Sequence, residues 1–360
     1  MKPNNPSDTG RALARHVGLA LHSQSTKPRA ASRWLKPDPR SIGSLGTKQA
    51  NALSAMKSHS QRGVAIIMVI LIVALATTLA TYVALQQSLW QRQLEGQFAR
   101  AQARRLGITG IDWARAVLAD DARANNTDHA TEMWTLRLPA MPVDNGEVLG
   151  VIEDRQGLFN LNNLVSNGTS STTHVAQLQR LLSLLGLPTD LALALADWMD
   201  SDSEAQYPGG AEDVYYLALP KPLRSASRPM MELGELATIK GFDAGIIDRL
   251  RPFVTVLPLP GPINVNFAPA EVLSATIPNL SLSDARMLVL QRRGRPFKDV
   301  GDFRQRLPHG ALSVSEQDVS VSSNFFWVTG RARVAGAQVT TQALLQRVGG
   351  WPAVVWQSVE

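Results

Sequence analysis

The sequence predicts an α+β fold. A transmembrane α-helix continues as a spine packed on a small antiparallel sheet, and a large all-helical domain is inserted between the strands. Three observations predict this arrangement. An uncharged apolar run extends from Val64 to Leu85. Period-two alternation, which is typical of strands, occurs at 146–153 and again over 324–348. Between these strand patterns, apolar residues recur at helical spacing.

The apolar run is long enough to cross a bilayer. A helix over Val64 to Leu85 is roughly 33 Å long, which matches a hydrocarbon layer of ~30 Å. Residues 1–63 carry eleven Lys/Arg and two Asp/Glu, whereas the rest of the chain carries 25 and 28. The positive-inside rule therefore places the basic leader in the cytoplasm and the remainder across the membrane. A signal peptide cleaved after Ala74-Leu75-Ala76 is the alternative.

Helix-forming residues continue beyond the span, from Gln86 to about Ala119. Apolar side chains recur there at roughly helical intervals: Leu89, Leu94, Phe98, Ala101, Leu106, Ile108, Trp113 and Val117. We therefore expect the membrane helix to continue outward as an amphipathic helix. Gly96, Gly107 and Gly110 weaken it locally, because each costs about 1 kcal/mol relative to alanine.

Strand and helix patterns place the predicted inserted domain. A strand is predicted at Gly146 to Glu153, and a hairpin at Asn324 to Val334 and Gln338 to Val348 around Ala335-Gly336. The intervening sequence predicts a series of helices: Val175 to Leu185, Asp190 to Met199 with Thr189 as N-cap, Met231 to Ile239, Ala244 to Leu250, Pro269 to Ala275, Asp284 to Arg293 and Asp299 to Arg306.

Residues 263–303 resemble a helix-hairpin-helix module, which in other proteins binds DNA. Four basic residues supply positive charge: Arg292, Arg293, Arg295 and Lys298. The connection from Pro278 to Leu282 lacks the glycine with which such hairpins hold phosphate, and the acidic residues of the segment offset its charge. We expect a helix-hairpin-helix-like fold and no nucleic-acid partner. A membrane-anchored DNA-binding protein is the alternative function.

The sequence gives little indication of catalysis. Cysteine is absent, which excludes disulfides, thiolate metal sites and thiol nucleophiles. Beyond the leader, His129, His174 and His309 are widely separated and have no Ser or Asp constellation near them in sequence. No nucleophile elbow, P-loop or zinc-protease pattern occurs. We predict that the protein is not an enzyme.

An acidic loop is the candidate metal site. Asp200, Asp202 and Glu204 follow a predicted helix, and Glu212 and Asp213 return after a Pro-Gly-Gly turn. Carboxylates this dense repel one another unless a cation joins them, and Ca²⁺ prefers hard oxygens and tolerates irregular loops. The loop lacks the EF-hand glycine and bidentate glutamate. We predict calcium ligands at Asp200, Asp202, Glu212 and Asp213, with Glu204 as a further candidate. A solvated acidic loop is the alternative.

The start of the apolar run resembles the type IV pilins and the pseudopilins of type II secretion. In those families a basic leader ends in glycine, and the membrane helix begins at the next residue. The resemblance implies cleavage between Gly63 and Val64 by a prepilin peptidase, followed by methylation of the new amino terminus. The families have glutamate at the fifth mature position, where this chain has Met68. In those families this carboxylate is thought to pair with the terminal amine of the subunit ahead. A subunit at the very tip has none ahead, so the resemblance implies that this chain lies at the tip.

Four blocks of the soluble part resemble, in order, the minor pseudopilin K (GspK) family of type II secretion. They are Glu153 to Leu164, Ala194 to Tyr216, Met231 to Phe242 and Ile263 to Leu273. The resemblance implies a pilin-like domain with a helical insertion that binds calcium. It also implies assembly with minor pseudopilins I and J and other pseudopilins, at the tip of a pseudopilus that exports folded proteins. The anchor is then in the inner membrane and the C-terminal domain in the periplasm.

These arguments divide the chain into five segments: a cytoplasmic leader at 1–63, a transmembrane helix at 64–90, the first part of the pilin-like domain at 91–165, an inserted helical domain at 166–318, and C-terminal strands and tail at 319–360. The leader itself contains "MKSHSQRG", starting at Met56, which has the usual length of a prepilin leader. We therefore expect translation to start at Met56 and residues 1–55 not to be translated. A long cytoplasmic leader is the alternative.

Overall fold

The computed structural model describes residues 62–144, 146–308 and 314–360. The predicted start at Met56, most of the leader and His309 lie outside these residues. The α-helices are α1 (Arg62–Ala124), α2 (Thr172–Leu184), α3 (Leu191–Met199), α4 (Asp213–Leu217), α5 (Ala244–Leu250), α6 (Ala270–Thr276), α7 (Leu282–Gly294) and α8 (Val300–Gln305). Short 3-10 helices occupy Met133–Thr135, Leu161–Leu164 and Leu233–Thr238.

The strands form one main sheet and three short two-stranded ladders. They are β1 (Leu138–Val143), β2 (Gly146–Asp154), β3 (Phe159–Asn160), β4 (Val165–Ser166), β5 (Thr169–Ser170), β6 (Val254–Thr255), β7 (Ile263–Asn264), β8 (Val319–Ser320), β9 (Phe325–Val334), β10 (Ala337–Gln346) and β11 (Ala353–Val359). The main sheet has the antiparallel order β1-β2-β9-β10-β11. The predicted α+β class, with a helical insertion between strands of one sheet, is confirmed.

Within the described residues, one helix, α1, is long and apolar enough to cross a membrane, and its most apolar stretch is not buried by the rest of the described chain. The boundary between two compact units of the chain falls inside this helix, between Val73 and Ala74. In the second unit, the C-terminal half of α1 buries Ala103, Ile111 and Leu118 against the main sheet. The predicted continuation of the span as an amphipathic helix is confirmed.

Close approach of α1 to the sheet depends on Gly107. A Cβ at this position would lie 2.1 Å from Oγ1 of Thr341 on β10. A larger residue would force the Thr341 hydroxyl to rotate, and Cβ of Thr341 would still lie only 3.3 Å away, so glycine permits the close contact between helix and sheet. The cost of this glycine to intrinsic helix stability is therefore offset by tertiary packing.

Tight turns and helix caps follow local sequence signals. The β9–β10 hairpin turns at Ala335 and Gly336, with φ of 44° and 86°, as the sequence predicts. Asp243, Ser281 and Asp299 cap α5, α7 and α8 by accepting hydrogen bonds from backbone N–H groups.

Some predicted elements are wrong in detail. The helix predicted at Met231 to Ile239 is a 3-10 helix over Leu233–Thr238. Asp190, not Thr189, precedes α3, and its side chain makes no capping bond. The strand β1, the helix α4 and the strand β11 were not predicted. The last of these lies in the segment predicted to end in a tail.

The inserted helices share a core separate from the one beneath α1. Leu178, Leu195 and Leu273 from α2, α3 and α6 are fully buried in it. Buried asparagines join this core to the flanking chain. Asn162, for example, donates to the carbonyls of Met230 and Leu257 at 3.0 and 2.8 Å and accepts from the Met230 N–H at 2.8 Å. These bonds fix the 3-10 helix Leu161–Leu164 relative to the chain around Met230 and Leu257.

Candidate metal centre in the acidic loop

Three of the predicted ligands meet in the acidic loop. Asp200, Asp202 and Glu212 each offer a carboxylate oxygen, and these oxygens lie within 4.8 Å of one another. Asp200 is the residue at which α3 ends, and Glu212 immediately precedes α4. The cluster therefore forms where a helix C-terminus, with its negative macrodipole end, faces the start of the next helix.

The loop between the two helices is fixed by a fourth carboxylate, Asp197. Its Oδ2 accepts a hydrogen bond of 2.9 Å from the Gln206 N–H. Gly210 passes so close that a Cβ would lie 2.0 Å from the same oxygen, and its carbonyl accepts from Lys240 Nζ at 3.1 Å. These contacts hold the returning chain, and with it Glu212, against the end of α3.

The cluster has buried oxygens with no hydrogen-bond partner. Asp197, Asp200 and Glu212 are 0%, 1% and 4% exposed. Among the described residues, Asp197 Oδ1, Asp200 Oδ1 and Glu212 Oε1 have no partner. A buried carboxylate oxygen without a partner is costly, and a hard divalent cation satisfies several at once. The donor set therefore fits calcium.

Burial and mutual repulsion disfavour the charged forms of these carboxylates. Burial, followed by repulsion from Asp202 and Asp197, raises the pKa of Asp200 to about 6. Burial, followed by repulsion from Asp197 and Asp200, raises the pKa of Glu212 to about 7. Burial likewise raises the pKa of Asp197. A bound cation would remove the repulsion that contributes to these shifts.

Two of the acidic residues considered from the sequence are not brought into this cluster. Asp213 Oδ1 accepts from the N–H and hydroxyl of Ser225 at 3.0 and 3.1 Å. Glu204 is exposed, and its N–H donates to Asp202 Oδ1 at 2.9 Å. Asp197 was missed because it lies inside a helix. Because residues three apart lie on the same face of a helix, its spacing from Asp200 was the sequence signal that could have added Asp197 to the predicted cluster.

One histidine does have serine and aspartate neighbours. Ser171 Oγ lies 2.8 Å from His174 Nδ1, and Asp318 Oδ1 lies 3.8 Å from His174 Nε2. The serine precedes α2 and pairs with a residue of its first turn, while 3.8 Å is too long for the orienting hydrogen bond of a catalytic triad. The arrangement therefore lacks the geometry of a nucleophilic site.

The predicted processing residues lie at the start of α1. Gly63 is the second residue of this helix, and both Gly63 and Val64 are exposed. No described atom lies within 4 Å of the place where a Cβ would be at Gly63. The fold around this residue therefore does not require glycine.

Family models for type II secretion system protein K match residues 157–259 and 263–322. The type II secretion system protein K of Pseudomonas aeruginosa is 33% identical over 298 residues, covering 80% of this chain and 89% of that protein. The chain belongs to the type II secretion system protein K family. The Pectobacterium carotovorum protein K is also 33% identical, over 309 residues, 80% of this chain and 93% of its own length.

A solved protein K has the same fold. It is the GspK chain in the crystal structure of the GspK-GspI-GspJ complex from enterotoxigenic Escherichia coli, with a TM-score of 0.62 and 26% identity. The match covers 76% of this chain and 99% of that chain. Protein K membership confirms the predicted family, and the DNA-binding alternative finds no support in these matches.

Proposed function

We propose that the chain is a structural minor pseudopilin of a type II secretion system. It is anchored in the inner membrane by α1, with the basic leader in the cytoplasm and the C-terminal domain in the periplasm. It assembles with minor pseudopilins I and J at the pseudopilus tip and has no catalytic role. The observation that carries the proposal is the fold match to GspK, solved together with GspI and GspJ.

An exposed apolar stripe on α1 suits assembly with partner helices. Four exposed apolar residues lie on one face of the helix, from the end of the predicted transmembrane segment outward, and we call them the α1 stripe: Trp90, Leu94, Phe98 and Ile108. Phe98 is 72% exposed within the described chain. Apolar side chains at three- and four-residue spacing on a water-exposed helix are typical of a helix–helix interface.

Phe98→Arg tests this proposal. We expect the variant to fold and melt like the wild type, because Phe98 contacts solvent, but to lose about tenfold or more of its affinity for pseudopilins I and J, which is ~1.4 kcal/mol. Co-purification of the three detergent-solubilised proteins measures the complex, and secretion in a strain lacking its own protein K measures function. Met133→Arg, at a residue 83% exposed outside the stripe, is the matched control. Normal complex formation and secretion by Phe98→Arg would contradict the proposal.

The same proposal includes a calcium ion held by Asp200, Asp202, Glu212 and Asp197. The support is twofold. Asp200, Asp202 and Glu212 bring carboxylate oxygens within 4.8 Å of one another. In the described chain, Asp197, Asp200 and Glu212 each have a buried oxygen without a hydrogen-bond partner. When bound, the ion neutralises the cluster and joins the end of α3 to the start of α4. We infer a structural role, since it would stiffen the part of the inserted domain that contains the acidic loop.

Calcium should raise the melting temperature of the detergent-solubilised chain, and chelator should reverse the shift. Free calcium at about 100 times Kd adds about 2.7 kcal/mol to stability. Asp200→Asn should abolish most of the shift. Asp213→Asn should keep it, because Asp213 interacts with Ser225 outside the cluster. If both variants lose the calcium-dependent shift equally, or if the wild type shows no shift, the acidic loop is solvated and does not hold calcium through this cluster.

The calcium effect should depend on pH. The folded-state pKa values of Asp200 and Glu212, about 6 and about 7, lie above the values of these groups in unfolded chains. Without metal, these groups therefore cost stability increasingly as pH rises through 6 to 7. Calcium removes that cost but must displace protons at lower pH. We expect the melting-temperature shift to be larger at pH 8 than at pH 5.5.

A further inference from the structure

The two edges of the main sheet differ in chemistry. The edge strand β11 consists of "AVVWQSV", which contains no charged residue and no proline. Its first five residues, 353–357, are all exposed. No strand among the described residues pairs with its outer side. An uncharged, exposed edge rich in β-branched and aromatic residues is a template for pairing with another strand.

The opposite edge is protected against such pairing. Strand β1, "LPAMPV", contains Pro139 and Pro142, which have no N–H to donate. Its register with β2 also shifts between Leu138 and Met141. Prolines and bulges are the usual protection of an exposed edge. Strand β11 has no proline, and although its register with β10 shifts at Val355, Trp356 to Val359 pair with β10 in regular register. Among the described residues of the two edges, this stretch of β11 therefore keeps an edge capable of regular pairing.

The register shows which backbone groups of β11 are free. Thr340 and Glu360 exchange both backbone hydrogen bonds, at 2.7 and 2.8 Å. Since hydrogen-bonded and non-hydrogen-bonded pairs alternate in an antiparallel ladder, Ser358 also faces β10. The N–H and C=O groups of Gln357 and Val359 therefore point away from the sheet.

The strand is held in position next to the α1 stripe. Arg115 of α1 donates from Nε to the Pro352 carbonyl at 2.7 Å, and its guanidinium lies 5.2 Å from the Trp351 ring centre. Further along, Trp356 stacks on Trp327, with ring centres 5.2 Å apart. Arg115 lies on the helix flank beside Ile108, seven residues earlier, so the stripe and β11 border the same surface.

We propose that β11 accepts an extended, uncharged strand from the pseudopilin that packs on the α1 stripe, so that the main sheet continues into the partner. Main-chain hydrogen bonds to Gln357 and Val359 give the affinity, and the exposed Trp351 and Val355 contact the added strand's side chains. The identity of the partner rests on the proposed function. The free edge itself does not.

Amide hydrogen exchange of the full chain tests this directly, alone and in complex with co-expressed pseudopilins I and J in detergent. In the free chain, the amide of Ser358 should exchange slowly, whereas those of Gln357 and Val359 should exchange fast. In the complex, the fast pair should slow at least tenfold. Gln357→Pro removes an outward N–H from an edge strand, a position at which sheets tolerate proline, and it should weaken the complex about tenfold while the free chain still folds cooperatively. Gln357→Ala, which retains the N–H, should behave like the wild type.

The outcomes separate the two proposals. If the complex forms but Gln357 and Val359 remain unprotected and Gln357→Pro binds normally, the strand addition is wrong and the proposed function stands. If the wild type forms no complex with pseudopilins I and J, the partner assignment fails and the strand addition with it. Protection that appears in the chain alone as its concentration rises would identify a second copy as the occupant and overturn the proposal.

Discussion

Gly63→Val should leave most of the protein unprocessed. The resemblance to prepilins implies a peptidase that cuts after this glycine, and a branched side chain would obstruct the bond to Val64. Because no described atom lies within 4 Å of a Cβ here, the substitution should not disturb the fold. The precursor should therefore accumulate in the inner membrane, and secretion should fall with it. Gel mobility and the amino-terminal residue of the membrane-extracted protein measure the effect.

Gly96→Val is the matched control, because a Cβ at Gly96 also has no neighbour within 4 Å, although this glycine lies far from the cleavage point. It should mature normally. A Gly63→Val precursor that matures at the wild-type rate would exclude prepilin processing at this bond. Maturation to Thr77 would instead support cleavage as a signal peptide.

Arg347→Met should be the most destabilising of these substitutions, by about 3–5 kcal/mol. The guanidinium donates to Asp121 Oδ2 at 3.0 Å, to Asp128 Oδ2 at 2.5 Å and to the Ser323 carbonyl at 2.8 Å. It joins the end of α1, the following loop and the sheet. Its side chain is 10% exposed, so its removal leaves two poorly solvated carboxylates without a cation. Denaturant unfolding of the detergent-solubilised chain measures the loss.

The loss should also depend on pH. Burial, then repulsion by Glu132 and Asp128, raises the pKa of Asp121 to about 6, while Arg347 lowers it. Because this folded-state pKa exceeds the unfolded value, the group costs stability as pH rises through 6, and the cost grows without Arg347. The variant should be most destabilised above pH 7. Arg333→Met breaks an exposed pair with Glu147 and should cost at most about 1 kcal/mol. Equal losses in the two variants would contradict a special role for Arg347.

Long, uninterrupted patterns predicted the fold well. The apolar run from Val64 and the alternation on both sides of Ala335-Gly336 dictate a helix and a hairpin almost without competing signals. Strand β1 was missed because Pro139 and Pro142 argue against a strand, and they are tolerated only because β1 is an edge. Strand β11 was missed although Val354, Val355 and Trp356 favour a strand, because the turn-forming Gly349-Gly350 and Pro352 precede it and its run of strand-forming residues is short.

The carboxylate cluster was predicted in part, because sequence proximity indicates the density of charge but not the direction in which each side chain points. Asp200, Asp202 and Glu212 converge because the Gly209-Gly210 turn brings the chain back onto α3. Asp213 follows Glu212 directly, yet it begins α4 and its side chain points to Ser225. Asp197 resembles any polar residue of a helix until the packing around Gly210 is known. Both differences between the predicted residues and the cluster depend on tertiary contacts rather than on propensity.

The interrupted sheet has a consequence for the order of folding. Strands β2 and β9 are neighbours, but one ends at Asp154 and the other begins at Phe325. Closing a flexible loop of that length costs about 4–5 kcal/mol in entropy. The folded insertion removes this cost, because it returns its ends to hydrogen-bond distance, with the Arg155 N–H 3.1 Å from the Phe325 carbonyl. We therefore expect the helical insertion to fold first, and the sheet, including the edge at β11, to form last after synthesis of the whole chain.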